Sequence, residues 1–301
     1  MKILVTGSRG FIGQAVGHEA VRRGDTVVGL SRSAQAARDW PGRHYCVDVM
    51  DDDLADIVTS FAPDAIIHAA GPASVGESFH APASTLKASL LSWTNVLDAL
   101  RRSGVPSRAL LISSAAVYGQ PDRLPVAEGE VRRPISPYGY HKMMCEIAAQ
   151  EYAECFGIDT VAGRLFSVVG PGQRRLLAWE VYSQLVDPTL AEVVLTGSPD
   201  SSRDYLHVQD VAAALLGLAH VASAPRFVNI ASGTRSRVGD VATVLRDAIG
   251  ATKPVRFLDR PTAGDPEHWQ ADISVLQGLL LSWQPLELDR ALADCVGSWS
   301  S

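Results

Sequence analysis

Short apolar runs alternate with helical patterns through the first half of the chain. Strand-like segments fall at Ile3–Thr6, Thr26–Leu30, Tyr45–Val47, Ala65–His68, Ala109–Ser113, Thr160–Leu165 and Phe227–Ile230. The early ones are nearly unbroken apolar runs, as in strands buried on both faces of a parallel sheet. Between them apolar positions recur at helical spacing. Ile12–Arg23 carries Ile12, Ala15, Val16 and Ala20 on one face, and Asp51–Phe61, Ser84–Ser103 and Tyr138–Cys155 follow. Alternating strand and helix predict βαβ units and an α/β fold with a doubly wound parallel sheet. After about Ser167 the rhythm loosens. Leu176–Val186, Gln209–Val221 and Val238–Ala248 read as helices separated by loops bearing Pro and Gly. This predicts a smaller, interleaved C-terminal substrate domain over 167–301, beside a nucleotide-binding domain over 1–166 to which 203–235 contribute.

The first strand runs straight into Thr6-Gly7-Ser8-Arg9-Gly10-Phe11-Ile12-Gly13 and then a helix. Glycines at this spacing permit a tight turn, close approach of backbone to a pyrophosphate, and close packing of helix on strand. The helix start adds unpaired N–H groups and a positive dipole end. This is a Rossmann-type dinucleotide cradle, with contacts expected at Gly7, Arg9, Gly10, Phe11, Ile12 and Gly13. An acidic residue at the end of the second strand would bind the ribose 2′-hydroxyl of NAD, whereas an arginine suits the 2′-phosphate of NADP. Here Ser31 and Arg32 stand at that point, which favours NADP(H) over NAD.

Composition narrows the function. The 301 residues are 47% apolar and 20% charged, which is ordinary globular composition, and the net charge of −6 offers no basic field for nucleic acid or an anionic membrane. No window approaches the roughly 18 apolar residues of a spanning helix. The chain enters Ile3-Leu4-Val5 directly after Met1-Lys2, with no signal-peptide pattern. Its four cysteines show no C-x-x-C spacing, and a cytoplasmic protein without a zinc site is expected.

Tyr138 and Lys142 are spaced i and i+4, one turn apart on one helix face. A lysine ammonium at that distance favours the phenolate and equips the tyrosine for acid–base work. Ser113 and Ser114 end a predicted buried strand, where open α/β sheets keep their chemistry.

With these motifs in order, the chain resembles the extended short-chain dehydrogenases/reductases, the nucleotide-sugar epimerase/dehydratase group, over nearly its whole length. The resemblance runs through TGSRGFIG, Asp48-Val49, His68-Ala69-Ala70, Val75–Ser78, SSAAVYG, SPYGYHK, Gly170–Gln173, Arg203–Asp210, Asn229-Ile230 and Ala271–Ile273. It implies a catalytic set of Ser114, Tyr138 and Lys142, with Tyr138 and Lys142 also meeting the cofactor. It further implies cofactor contacts at Asp48 and Val49 beside the adenine and at Ala69, Ala70 and Gly71. A nucleotide-sugar substrate would meet Ser114, Ser167, Gln173, Arg203 near its pyrophosphate, and Arg260, a loose match to a family arginine. In the group, helices corresponding to Ser84–Ser103 and Tyr138–Cys155 pair across a two-fold axis. Leu90, Leu91, Trp93, Val96 and Leu97 spread apolar surface around the first of these, so a homodimer is expected.

Departures from the group's pattern separate its activities. Dehydratases carry acidic residues where this chain has Ala115 and Ala116, so 4,6-dehydration is disfavoured. Ser89 and Ser167 stand where the group has asparagines. Two enzymatic readings remain: an NADPH-dependent 4-ketoreductase and a 4-epimerase that retains NAD. Ser31-Arg32 favours the reductase. The segments VGLSR, RRPISPYG and GPGQ also resemble GDP-6-deoxy-4-keto-hexose reductases. A non-catalytic nucleotide-sugar sensor is the remote alternative, because a sensor has no need of the Ser–Tyr–Lys set.

Overall fold

A computed structural model of the chain describes residues 1–50, 52–260 and 262–300. The first half runs β1 (Lys2–Thr6), α1 (Phe11–Arg22), β2 (Thr26–Ser31), β3 (Arg43–Cys46), α2 (Ala55–Phe61), β4 (Ala65–His68), α3 (Val75–His80), α4 (Pro82–Ser103) and β5 (Arg108–Ser114). A single 3₁₀ turn at Ala115–Val117 leads towards α5 (Pro137–Phe156) and β6 (Thr160–Leu165). The second half holds β7 (Ser167–Val169), α6 (Leu176–Val186), β8 (Val193–Leu195), β9 (Ser202–His207), α7 (Val208–His220) and β10 (Phe227–Ile230). It ends with β11 (Arg235–Arg237), α8 (Val238–Ile249), β12 (Val255–Phe257), α9 (Ser274–Leu279) and α10 (Leu288–Trp299).

Seven strands form one parallel sheet in the order β3-β2-β1-β4-β5-β6-β10. The alternation within β1 explains the layers on either side. Ile3 and Val5 pack with Val16 and Ala20 of α1 and Leu215 of α7. Leu4 packs with Val58 of α2, Trp93 and Leu97 of α4, and Ala149 of α5. Strand order reverses between β1 and β4, and in open α/β sheets ligands bind in the crevice at such a switch point. The chain leaves the large sheet after β6 and returns as β10. In between and beyond, β9 pairs with β7 and β11, and β8 with β12. A separate apolar cluster joins α6, α8 and α10 through Val181, Leu245 and Leu292.

The sequence expectation lacked α3, α9, α10 and the short strands β7, β8, β9, β11 and β12, and its third strand and second helix start elsewhere by two residues or more. The third strand lies at Arg43–Cys46, two residues earlier than Tyr45–Val47, because pairing with β2 aligns Val28 with Arg43 and Ser31 with Cys46. Helix α2 starts at Ala55, and Asp51, the expected start, lies outside the described residues. Among the described residues no helix is long and apolar enough to cross a membrane.

Candidate active site

A cleft of about 750 Å³ opens where the C-terminal ends of the central strands face the later part of the chain. Its lining includes Phe11 and Ile12 at the start of α1, 69–71 after β4, Ser114 at the end of β5, and Tyr138 and Lys142 of α5. Ser167, Gln173, Thr196, Gly197, Ser198, Arg203 and Arg260 line it from the second half. Gly7, Arg9, Gly10, Gly13, Ser31, Arg32, Asp48 and Val49 are not part of that lining.

The glycine turn is built for a close visitor. Gly7 has φ +69°, and a Cβ there would fall 2.6 Å from the Ala69 carbonyl oxygen. A Cβ on Gly13 would fall 2.3 Å from the Gly7 oxygen, so the start of α1 presses directly on the turn. Gly10 precedes α1 with no side chain capping its first amides. Such open amides at a helix start suit phosphate oxygens, and the residues present fit a dinucleotide pyrophosphate.

The turn is tied to β4 by a directional hydrogen-bond chain. Ala70 N–H donates to Thr6 Oγ1 (3.2 Å), and Thr6 Oγ1 lies 2.8 Å from His68 Nδ1. His68 Nε2 lies 3.3 Å from Ser92 Oγ, which donates to the Ala88 carbonyl at 2.6 Å. The chain is satisfied throughout when Thr6 donates to Nδ1 and His68 carries its proton on Nε2. Burial, and then the nearby Lys142 charge, push the His68 pKa down to about 3, so the ring is neutral.

Local chemistry also sets the Ser–Tyr–Lys group. Ser136 caps α5, its Oγ accepting from Gly139 N–H at 3.1 Å, and Pro137 opens the helix. A Cβ on Gly139 would sit 2.4 Å from the Ala116 oxygen. Only glycine lets the first turn of α5 lie on the 3₁₀ turn that follows Ser114, and Tyr138 is thereby brought to the same cleft as Ser114. Ser78 of α3 steadies this start, accepting from Tyr138 N–H at 3.0 Å. Lys142 is buried, donates Nζ to the Ile112 carbonyl at 2.8 Å, and lies 5.7 Å from the Tyr138 ring centre. Ser114 Oγ accepts from Ala116 N–H at 3.1 Å, which leaves its own O–H to be given away.

The end of β2 is a second polar cluster. Ser31 Oγ lies 2.8 Å from His44 Nε2. Arg32 is exposed, and its guanidinium has no hydrogen bond among the described residues. Arg9 reaches across from the glycine turn to Ser33 Oγ (3.1 Å) and the carbonyls of Gln35 (2.6 Å) and Ala36 (3.1 Å). Beyond β3 the Asp48 carboxylate accepts from Met50 N–H at 3.0 Å, and Asn95 of α4 holds the carbonyls of Val49 and Met50.

On the far side, Arg203 donates to the carbonyls of Ser202 (2.9 Å) and Glu267 (3.1 Å) and to Asp265 (3.2 Å). Gln173 donates to the Val168 carbonyl at 2.8 Å, while its buried Oε1 has no partner among the described residues. Arg260 is exposed at the cleft. Sequence reasoning missed His44 and the support from Ser78. The VGES segment held a signal for the latter, but nothing local marks His44.

The profile of the NAD dependent epimerase/dehydratase family matches residues 3–231. A GDP-6-deoxy-D-mannose reductase of Pseudomonas aeruginosa is 30% identical over 252 residues, 82% of this chain and 79% of that protein. A UDP-glucose 4-epimerase of Corynebacterium glutamicum is 29% identical, covering 88% of this chain and 85% of its own. The structure of Thermus thermophilus UDP-glucose 4-epimerase in complex with NAD superposes with a TM-score of 0.87 at 27% identity, over 100% of this chain and 99% of that one. With seven parallel strands in Rossmann order, a glycine turn and the profile match over most of its length, the chain belongs to the NAD dependent epimerase/dehydratase family.

Proposed function

We propose that the protein is an NADPH-dependent reductase of a nucleotide-linked 4-keto-6-deoxy sugar. The observation that carries this reading is the end of β2, where Ser31 and the unpaired Arg32 stand in place of a carboxylate and Arg9 lies alongside. A guanidinium pairs with a dianionic 2′-phosphate by forked, charge-assisted contacts. The Pseudomonas relative, named as a reductase of a GDP-linked 6-deoxy sugar, supports the same choice.

A nicotinamide dinucleotide whose pyrophosphate is held at the glycine turn would supply the hydride. Tyr138 then gives its phenolic proton to the C4 oxygen, and Ser114 donates a hydrogen bond to that oxygen and polarises the carbonyl. Lys142, anchored on the Ile112 carbonyl, carries the positive charge that favours the tyrosinate left behind. Arg203, and the free Oε1 of Gln173, are the groups we assign to the nucleotide sugar, with Ser167 and Arg260 beside them. Ala115 and Ala116 offer no carboxylate for dehydration.

A 4-epimerase is the second reading, supported by the Corynebacterium relative and by the NAD held in the Thermus structure. Denaturing the purified protein and identifying any released dinucleotide separates the two. A reductase exchanges its cofactor every turnover, so it should emerge largely empty and bind NADPH more tightly than NADH. Tightly retained NAD overturns the reductase in favour of the epimerase. We further propose a homodimer through α4 and α5, whose outer faces expose Leu91, Tyr140, Met144 and Ile147.

A further inference from the structure

We propose that His44 is a further determinant of cofactor choice, forming with Ser31, Arg9 and Arg32 the wall that takes the adenosine 2′-phosphate and adding a positive charge to it once protonated. This rests on the NADPH reading above.

Three observations converge on it. Ser31 occupies the end of β2, the place from which a dinucleotide fold addresses the 2′ position of the ribose. Parallel pairing of β2 with β3 sets Gly29 opposite His44 and Ser31 opposite Cys46, and the imidazole reaches Ser31 Oγ at 2.8 Å. Arg9, which spans from the glycine turn to Ser33, lies close enough for its charge to act on the ring. An anion hydrogen-bonded to Ser31 is therefore one atom removed from His44.

Burial first, and Arg9 second, hold His44 below the usual imidazole range in the free protein. The charged and titratable groups on the neighbouring segments are Arg9 of the glycine turn, Arg32, Arg38 and Asp39 of the β2–β3 connection, and Arg43, Tyr45 and Cys46 of its own strand, and of these Arg9 is the one whose charge acts on the ring. Burial and the Arg9 charge oppose protonation when the pocket is empty. A dianionic phosphate reverses that local field, so binding draws a proton onto His44. NADH brings no such charge to this point.

The test is equilibrium binding. Wild type, His44→Gln and His44→Ala are titrated with NADPH, NADH and adenosine 2′-monophosphate at about pH 6 and about pH 8. Because the phosphate's own second ionisation lies near pH 6, each variant is compared with wild type at the same pH. At the lower pH both variants should lose about three- to tenfold in affinity for NADPH and 2′-AMP, the scale of one charged contact at a half-exposed site. At the higher pH the Gln variant should match wild type, and NADH should bind all three alike, which also reports that the variants are folded. Parallel pH curves for wild type and His44→Gln overturn the role of His44 alone. A wild type that binds NADPH no better than NADH at either pH overturns the cofactor reading, and this inference with it.

Discussion

Arg164 grips Glu146 through two hydrogen bonds, Nε to Oε1 at 2.9 Å and Nη2 to Oε2 at 2.8 Å, with both side chains closed off from water. Ser113 Oγ donates to the same carboxylate at 2.6 Å, and Arg132 adds a bond at 3.1 Å. Glu146 lies one turn beyond Lys142, and Ser113 precedes Ser114. The pair therefore fastens α5 to β5 and β6 behind the proposed catalytic group. Removing one member of such a buried pair strands a charge and costs about 3–5 kcal/mol. Arg164→Leu should lower stability by that order, and Arg164→Leu with Glu146→Leu should lower it less. Urea unfolding of the two variants checks this, and equal losses would contradict it.

Tyr138→Phe keeps the ring and removes the proton donor. Turnover should fall about a hundredfold or more while cofactor affinity is kept. Lys142→Met should weaken both, since its ammonium is anchored at the cleft by the Ile112 carbonyl. Near-normal turnover of the Phe variant would remove Tyr138 from the chemistry.

Arg32→Ala tests cofactor choice independently of His44. Loss of a charged hydrogen bond to the 2′-phosphate should weaken NADPH by about 1.5–3 kcal/mol and leave NADH nearly unchanged. Calorimetric titration with both cofactors measures the difference. An equal effect on both would favour the epimerase.

His68 makes stability depend on pH with a definite sign. Its pKa is held at about 3 in the folded protein by burial and Lys142, whereas an unfolded imidazole titrates near 6.5. A depressed folded value means that the unfolded chain takes up the extra proton. The contribution is full above about pH 6.5 and is lost as pH falls towards 3, with a slope approaching about 1.4 kcal/mol per pH unit. His68→Gln should unfold with a shallower dependence between those limits. Identical slopes in denaturant titrations would show that His68 does not titrate on unfolding.

Ile147→Asp introduces a charge on the exposed face of α5. The proposed dimer should sediment as a dimer at micromolar concentration, and the variant as a monomer. A monomeric wild type would leave those apolar side chains without the proposed partner.

Much of the molecule was legible from local pattern. The segments Ala65–His68, Thr160–Leu165 and Phe227–Ile230 coincide with β4, β6 and β10 because buried parallel strands are mostly apolar, even where β6 carries Arg164 and β10 carries Asn229. The glycine turn and the i, i+4 placement of Tyr138 and Lys142 are equally local, resting on backbone freedom and helical repeat. Long-range packing decided the rest. Edge strand β3 is largely exposed and opens on the polar Arg43 and His44, ahead of the short apolar stretch at Tyr45–Val47, so only its pairing with β2 determines where it begins and that His44 meets Ser31. The approach of Gly139 to Ala116 joins residues 23 apart in number, and Arg203 finds Asp265 across 62 positions. Periodicity reports which face of an element is buried, but not which distant side chain lies against it. That is set when the layers close, by the need to fill space and to satisfy every buried polar group.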